Sequence, residues 1–292
     1  MLIAIYGKSL NNYNANPIQR LITKLEESGV ELCVHEDFYT IIKDKIKFTS
    51  IISFFKDERI LLKKPSFFCS IGGDGTMLKT ITLVGASEIP IIGINTGRLG
   101  FLSGISIEDI EMAIDKIFEG NYELDKRSLV RLEALNNPYQ KFNFALNEVT
   151  VHKNDNTTMM TIHTWINGEF LNAYWADGLI ISTPTGSTAY SLSCGGPLVM
   201  PDSSNFIITP ISPHNLNVRP IIISDKDVVT LKIEGRNKNY LVTLDSRQEV
   251  FDADEELTIM REKFIVNLVR LKGNDFMSTL RQKLMWGMDK RN

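Results

Sequence analysis

The 292-residue sequence predicts two domains of different class, an α/β domain followed by a mostly antiparallel β domain. Up to about residue 122, short apolar segments alternate with segments whose apolar residues recur at helical spacing, an order typical of a parallel sheet with right-handed crossovers. Beyond it, apolar residues alternate with polar ones and β-branched residues become frequent, which is typical of antiparallel strands. We therefore expect a Rossmann-like domain over 1–122, a β-sandwich-like domain over 123–273, and a helix within 274–292 that packs back on the first domain.

The individual elements follow from local patterns. An apolar strand at 2–6 is followed by helical spacing over 18–25, which ends at Gly29, a residue type common at helix C-termini. The other elements expected in the first domain are strands at 30–35, 67–71 and 89–95, a helix at 107–118, and one or two short helices within 36–65. In the second domain Asn167-Gly168 is a hairpin signal. The strands expected there lie at 130–135, 142–152, 159–166, 179–182, 206–209, 221–223, 228–233, 240–244, 257–260 and 264–271, and the final helix at 276–286.

Composition and charge exclude several classes of protein. The formal net charge of −3 argues against a broad nucleic-acid surface, although a local site for a phosphorylated small molecule remains compatible with it. No apolar run approaches the roughly 18 residues that a membrane span needs, and the first residues lack the pattern of a signal peptide. We expect a cytoplasmic protein with no membrane partner.

A glycine-rich turn is the first candidate functional feature. The apolar run 67–71 stops at Gly72-Gly73-Asp74-Gly75, and helical spacing begins directly behind it. Three glycines permit backbone angles that side chains would not tolerate. A helix N-terminus above such a turn suits a phosphate, and a carboxylate among its donors suits proton transfer or a metal ion. The alternative is a tight strand-to-helix turn in which Asp74 is only the N-cap.

A second feature is the segment 177–197, which is rich in small and hydroxyl residues. A strand at 179–181 runs into TPTGST at 183–188, and such a loop can surround a nucleotide, with Tyr190 as an amphipathic wall. An ordinary serine- and threonine-rich turn would show the same composition.

A third feature, Asn147-Glu148, interrupts an apolar strand. Consecutive strand residues face opposite ways, so at least one of these side chains should face inward and need a partner. That partner is either a ligand or another group of the chain.

Together these motifs resemble one family, the NAD kinases, which phosphorylate the 2′-hydroxyl of the adenosine ribose of NAD to make NADP. The similarity covers most of the chain, in the family's order and spacing. The matching motifs are GGDGT at 72–76, NTGRLGFL at 95–102, Asn147-Glu148, Asp177-Gly178, TPTGSTAY at 183–190 and GGP at 195–197. The GGDGT turn also occurs in diacylglycerol and sphingosine-type lipid kinases, whereas TPTGSTAYSLS with NE upstream is more selective.

The resemblance implies a role for each matching residue. Asp74 would take the proton of the ribose hydroxyl, and the glycines would let phosphates approach the backbone. Lys79 would offer a cation near them, although it could equally be solvated. Mg²⁺ bound to ATP, or another divalent metal, would supply the remaining charge. The residues implied to bind NAD or ATP are Gly72, Gly73, Asp74, Gly75, Lys79, Asn147, Glu148, Asp177, Thr188, Ala189, Tyr190, Ser191, Leu192, Ser193 and Gln248.

The resemblance also bears on assembly. Asp177 matches a family aspartate that helps to hold the nicotinamide half, often across a subunit contact, which implies a homodimer or homotetramer. The sequence departs from the family pattern at two places. Trp175 lies in the segment before Asp177, where many relatives carry small or basic residues. Arg247 lies in LDSRQEV, where relatives tend to show Asp-Gly-Gln or Asp-Ser-Gln.

Two other functions are compatible with parts of this pattern. A lipid kinase would share the GGDGT turn but would not need NE or TPTGSTAY. A sensor that binds dinucleotides without turning them over would need the binding motifs, but it could dispense with Asp74.

Overall fold

The computed structural model describes residues 1–8, 15–97, 100–154, 159–235, 238–273 and 275–286. They form two compact units, one of Met1–Lys126 with Val266–Asn292 and the other of Arg127–Ile265. The strands are β1 Leu2–Gly7, β2 Glu31–His35, β3 Ser53–Phe55, β4 Phe67–Ile71, β5 Ile91–Asn95, β6 Ile105–Ser106, β7 Tyr122–Arg127, β8 Val130–Glu133, β9 Phe144–Ala145, β10 Glu148–Lys153, β11 Met160–Ile166, β12 Glu169–Ala176, β13 Gly178–Ser182, β14 Asn205–Ile211, β15 Ile221–Ser224, β16 Val229–Glu234, β17 Asn239–Leu244, β18 Arg247–Asp252, β19 Leu257–Arg261 and β20 Val266–Leu271. The helices are α1 Asn16–Glu27, α2 Glu36–Ile42, α3 Asp74–Val84, α4 Ile110–Phe118, α5 Tyr190–Ser193 and α6 Phe276–Leu284.

The first unit contains a sheet whose central strands are parallel. Its strand order is β3-β2-β1-β4-β5-β20-β7, with β6 also paired to β5. Every residue of β4 and β5 is buried, as expected for strands covered on both faces. This sheet confirms the predicted α/β class.

The neighbouring strands β4 and β5 position the glycine turn. They run parallel with Ile71 opposite Ile94, so the segments that follow them leave the same edge of the sheet. The N–H of Gly72 donates to the carbonyl of Ile94 at 2.9 Å and extends this pairing by one residue. The turn at 72–75 and the loop after Asn95 are therefore neighbours.

Strand β20 lies in a different unit from the one expected. The sequence pattern placed 264–271 in the second domain, whereas β20 pairs in parallel with β5 of the first unit, with Leu268 opposite Ile91. The physical reason is that an apolar strand does not encode which sheet it joins. The first unit is consequently built from two separate segments of the chain.

The C-terminal helix α6 also belongs to the first unit. The Asp275 carboxylate caps it by accepting the N–H of Ser278 at 2.5 Å, and Leu280 is buried as its apolar stripe predicted. The ring of Phe276 lies 6.5 Å from that of Phe101, centroid to centroid. No helix of the described residues is long and apolar enough to cross a membrane.

The second unit consists of two antiparallel sheets that share one apolar core. Their strand orders are β15-β14-β13-β10-β17-β18 and β12-β11-β16-β19-β8-β9. Val149 and Leu179 from the first of these sheets and Ile162 and Leu231 from the second are fully buried in the same cluster. The predicted β-sandwich-like class is confirmed.

The opposite face of the first of these sheets carries polar side chains of β10, and we call it the polar face although Ile180 also lies on it. Because strand residues alternate, Glu148, Thr150 and His152 of β10 point away from the core that contains Val149 and Val151. Their partners on β13, in register, are Ser182, Ile180 and Gly178. This polar face carries the segment that follows β13.

The structure makes a testable statement about the core. Ile5, at the centre of β1, is fully buried, whereas Ile51 is 99% exposed. Replacing Ile5 by Ala leaves a cavity and should lower the free energy of unfolding by about 2–5 kcal/mol in urea denaturation. Ile51→Ala makes the same chemical change without a cavity and should alter it by less than about 0.5 kcal/mol. Equal losses in the two variants would contradict the burial described.

Candidate functional site

The three glycines of the turn do not share one backbone conformation. Only Gly72 has a positive φ, +152°, and a Cβ there would overlap the Thr76 hydroxyl. Gly73 lies at φ −90°, and a Cβ at Gly73 or Gly75 would meet nothing within 4 Å. Of the three glycines, only Gly72 therefore uses the conformational freedom that this residue type permits. Gly73 and Gly75 are exposed, so their missing side chains leave the helix N-terminus open to solvent.

Asp74 is not the N-cap of the following helix. Gly73 occupies that position, no side chain caps it, and Asp74 is the first helical residue. The N-cap alternative raised from the sequence is thus wrong. Lys79, five residues further along α3, is exposed.

The Asp74 carboxylate instead binds the loop that follows β5. Its Oδ2 accepts the N–H of Phe101 at 2.9 Å, and its Oδ1 accepts those of Leu102 at 3.1 Å and Ser103 at 3.4 Å. A carboxylate offers about four acceptor positions, two on each oxygen. Among the described residues Oδ1 has two donors and Oδ2 has one, so Oδ2 can accept one more hydrogen bond. A Cβ at Gly100 would overlap the carboxylate, which explains the glycine there. Arg98 and Leu99 of this motif lie outside the described residues.

Glu148 is the second notable carboxylate, and it is only 7% exposed. The backbone N–H of Tyr190 hydrogen-bonds it, but its Oε2 has no partner among the described residues. Burial, and secondarily the nearby Asp245 carboxylate, raise the pKa of Glu148 to about 8 from its ordinary value of 4.5. Near neutral pH the carboxyl group is therefore mostly protonated and can donate a hydrogen bond.

Asp245 is a site residue that the sequence reasoning missed. It lies in the turn between β17 and β18 at φ +53°, and its carboxylate accepts the N–H groups of Leu146 at 2.9 Å and Asn147 at 2.7 Å. Burial raises its pKa, and these N–H donors oppose that shift. The available signal was an aspartate in a turn directly after an apolar strand, in LDSRQEV. Asp245 fixes the backbone from which Asn147 and Glu148 project.

The threonine- and serine-rich loop is held mainly by its own hydroxyls. Thr183 accepts the N–H of Gly186 at 3.2 Å and donates to the carbonyl of Leu146 at 2.5 Å, while its own N–H donates to the carbonyl of Asn147 at 2.8 Å. A Cβ at Gly186 would overlap the Asn147 carbonyl. The turn-forming reading of this composition is therefore correct for residues 183–187, which are all buried.

The residues after this loop are more accessible. Thr188 and Ala189 are half-buried, Leu192 is half-buried, Tyr190 is 39% exposed and Ser193 is exposed. Ser191 differs, because it is fully buried and its hydroxyl bonds that of Thr209 at 2.9 Å. The groups that face solvent in this segment are consequently those at 188–190 and 192–193.

Asp177 lies at the start of β13, on the same sheet. Its Oδ1 forms an ion pair with Lys153 Nζ at 2.6 Å. Nearby, Trp175 is 50% exposed and its ring lies 4.8 Å from that of His214.

Gln248 and Arg247 lie on β18 and have different surroundings. Gln248 is exposed opposite Thr243 of β17. The Arg247 guanidinium donates to the carbonyls of Phe142 and Phe144 and lies 5.8 Å from the Tyr139 ring centroid. Arg247 therefore holds the β17–β18 hairpin against residues 139–144.

The two sets of residues supply different chemistry. The turn at 72–75 offers open backbone donors and a fixed carboxylate, which suit phosphate and proton transfer, and the second unit offers a polar sheet face beside an aromatic ring. No group of three or more His, Cys, Asp or Glu residues that could hold a metal ion occurs in the part of the chain that the structure describes.

Comparison with known proteins decides the family. The model of the ATP-NAD kinase N-terminal domain matches residues 3–122, and that of the ATP-NAD kinase C-terminal domain matches residues 146–271. The chain belongs to the NAD kinase family. It is similar over its full length to the NAD kinases of Cytophaga hutchinsonii, at 46% identity over 293 residues, and of Bacteroides fragilis, at 42% over 291 residues, with 100% of each chain covered.

Two solved structures share the fold. Yeast NADH kinase complexed with NADH has a TM-score of 0.89 at 23% identity, covering 99% of this chain and 89% of that chain. An NAD kinase from Archaeoglobus fulgidus in complex with ATP has a TM-score of 0.75 at 26% identity, covering 98% and 99%. The predicted NAD kinase and phosphotransferase assignments are confirmed, and a lipid kinase or a sensor is not favoured.

The packing of Gly100 against Asp74 predicts a large kinetic effect. Gly100→Ala should displace the carboxylate from the N–H groups of 101–103 and lower kcat for NAD phosphorylation by about 10²-fold, because a misplacement near 1 Å can cost that much. Gly104→Ala is the matched control, since a Cβ there meets nothing within 4 Å. A coupled NADP assay measures both variants, and equal kcat values would refute the role of this contact.

The raised pKa of Glu148 predicts how stability depends on pH. Its folded pKa, about 8, exceeds the ordinary 4.5, so its stability contribution is complete below pH 4.5 and is lost as pH rises through 8. Glu148→Gln cannot ionise and should become more stable than wild type by on the order of a few kcal/mol at pH 9. The difference should shrink towards pH 5 in urea denaturation of the ligand-free protein. Glu249→Gln, an exposed control on β18, should show no such trend. A pH-independent difference for Glu148→Gln would contradict the buried carboxyl.

Proposed function

We propose that the protein transfers the γ-phosphoryl group of ATP to the 2′-hydroxyl of the adenosine ribose of NAD, giving NADP and ADP. The 2′-oxygen forms a bond to the γ-phosphorus, the bond between that phosphorus and the β,γ-bridging oxygen breaks, and the hydroxyl proton passes to a base. The observation that carries the proposal is the Asp74 carboxylate, fixed by backbone donors beside an open helix N-terminus. Full-length similarity to NAD kinases supports the choice of substrates.

Asp74 is the base in this proposal. The N–H groups of 101–103 hold its carboxylate in one orientation, while one acceptor position of Oδ2 is left to receive the proton. In a loose transition state the acceptor hydroxyl becomes acidic late, so a carboxylate suffices. This role requires no other general base.

The glycines and Lys79 would serve the phosphates. Gly73 and Gly75 leave the N-terminus of α3 accessible, where the helix dipole and unpaired N–H groups favour anions, and Gly72 forms the turn before it. Lys79 is exposed on the same helix and would offer a cation. The yeast and archaeal relatives were solved with NADH and ATP respectively, which is consistent with nucleotide ligands.

The second unit would bind the dinucleotide. Glu148, with an unpaired Oε2, and Asn147 would hydrogen-bond it, and Asp177 would hold the nicotinamide half. The residues proposed to form the adenine and ribose pocket are Thr188, Ala189, Tyr190, Ser191, Leu192 and Ser193, with Gln248 as a further ligand on β18. For Ser191, whose hydroxyl is occupied by Thr209, the contact would come from the backbone.

Magnesium fits these residues as part of the ATP complex. Mg²⁺ prefers oxygen ligands and commonly uses one or two carboxylates together with substrate phosphates, so a dedicated protein cage is unnecessary. The phosphate oxygens of ATP would hold the ion, and the proposal requires no carboxylate of this chain as a ligand. When bound, the ion neutralises the charge of the phosphates. We further propose a homodimer or homotetramer in the cytoplasm, following the match of Asp177 to a family residue at a subunit contact.

The decisive test compares wild type with Asp74→Asn in an assay containing NAD, ATP and Mg²⁺. Removing the base should lower kcat for NADP formation by about 10²–10⁴-fold. Calorimetric NAD binding and the thermal midpoint should be measured in parallel, because Asp74 also anchors the loop 101–103. Equal NADP output from the two proteins, or none from wild type, would sink the assignment. Phosphatidic acid formed from diacylglycerol in place of NAD would instead support a lipid kinase.

A further inference from the structure

The ring of Tyr190 stacks on His152. Their centroids are 5.8 Å apart and their planes differ by 27°. His152 lies near the end of β10, and Tyr190 begins α5, so the contact joins the polar sheet face to the segment above it. Tyr190 is the largest accessible side chain of the proposed adenine and ribose pocket.

Gly178 makes room for this arrangement. It is the residue opposite His152 on β13, and a Cβ there would lie 3.3 Å from His152 Nδ1 and would overlap the carbonyl of Val151. Asp177-Gly178 was singled out in the sequence as a dinucleotide motif. Its glycine now has a structural explanation that involves the imidazole.

Hydrogen bonds hold Tyr190 at its backbone and at its hydroxyl. Its backbone N–H bonds the Glu148 carboxylate, and its hydroxyl is hydrogen-bonded to the Cys194 thiol. Neither hydrogen bond restrains the plane of the ring. The His152 imidazole stacks on the ring with a 27° angle between the planes and does restrain it.

The charges nearby favour a packing role over an ionic one. Asp177, the acidic group closest in sequence to Gly178, is already paired with Lys153 at 2.6 Å. Burial lowers the pKa of His152, and Asp177 only partly opposes that shift, so the ring is neutral at neutral pH. A neutral ring can stack without demanding a counter-ion.

The geometry points to His152 as a positioning residue of the dinucleotide site, which acts through the Tyr190 ring and sets affinity for NAD rather than the rate of phosphoryl transfer. This inference rests on the proposed function, since it assumes that Tyr190 contacts NAD. The imidazole is expected to reduce KM for NAD without touching the reacting atoms.

The test compares His152→Ala with His152→Phe and with the matched control His163→Ala, which removes an imidazole from β11 that bonds Glu234 at 2.9 Å. Losing the stack should raise KM for NAD by about 3- to 10-fold, the range that aromatic pairs produce, with kcat and KM for ATP changed less than twofold. Phe preserves a ring at this position and should restore KM to within about twofold of wild type. The control should behave like wild type.

A double-mutant cycle tests whether His152 acts through Tyr190. If it does, His152→Ala should have no further effect on KM for NAD in a Tyr190→Ala background. Additive effects, a fall in kcat with KM unchanged, or failure of Phe to restore KM would each overturn the inference. If His152→Ala does not fold, as shown by its thermal midpoint, His152→Leu removes the aromatic stack with less loss of volume and replaces the Ala variant in both comparisons. Wild type that makes no NADP refutes the proposed function instead, so the two failures are distinguishable.

Discussion

In the first unit, one carboxylate that accepts three backbone N–H groups joins the two segments that follow the neighbouring strands β4 and β5. Asp74, at the start of α3, binds residues 101–103, so the segments that follow two adjacent parallel strands become one structure. Gly100 follows from the same contact, because any side chain there would displace the carboxylate. The motifs GGDGT and NTGRLGFL, which are separate in sequence, are therefore joined by the hydrogen bonds of Asp74 to Phe101 and Leu102. These bonds hold the Asp74 carboxylate in one orientation, which is the preorganisation that the proposed base would need.

In the second unit, the two faces of one sheet have different surroundings. One face of β10 and β13 joins the apolar core, while the other carries Glu148, Thr150 and His152 beneath the 183–196 segment. The buried hydroxyls of that segment form hydrogen bonds with one another and with the backbone. These bonds fix the loop and leave few buried polar groups without a partner. Glu148 is the exception, since its carboxyl is buried with one oxygen unpaired. This oxygen is available to a ligand.

Local sequence patterns predicted most of this architecture, and the failures concern long-range or conformational properties. Most strands, the helices α1, α3 and α4, and both domain classes follow from periodicity and turn residues. The strands β6, β7 and β18 were not predicted, and β3 lies where the sequence predicted a short helix. The pairing of β20 with β5 does not, because periodicity reports burial but not the identity of the neighbouring strand. Nor does the role of Asp245, whose carboxylate meets residues about a hundred positions earlier. Of the glycines at 72, 73 and 75, only Gly72 has a positive φ, and the residue type alone does not show which glycine will adopt it.

The insertion of β20 between β5 and β7 has a consequence for how the chain is made. The first unit has its sheet interrupted at that position until Val266–Leu271 leaves the ribosome, although β1 to β7 are synthesised long before. The second unit is continuous in sequence and can complete its sheets earlier, so it is expected to reach its final form first during translation. A nascent chain that stops before residue 266 would carry the whole GGDGT motif and yet leave β7 without its neighbour β20 and part of the β5 edge unpaired.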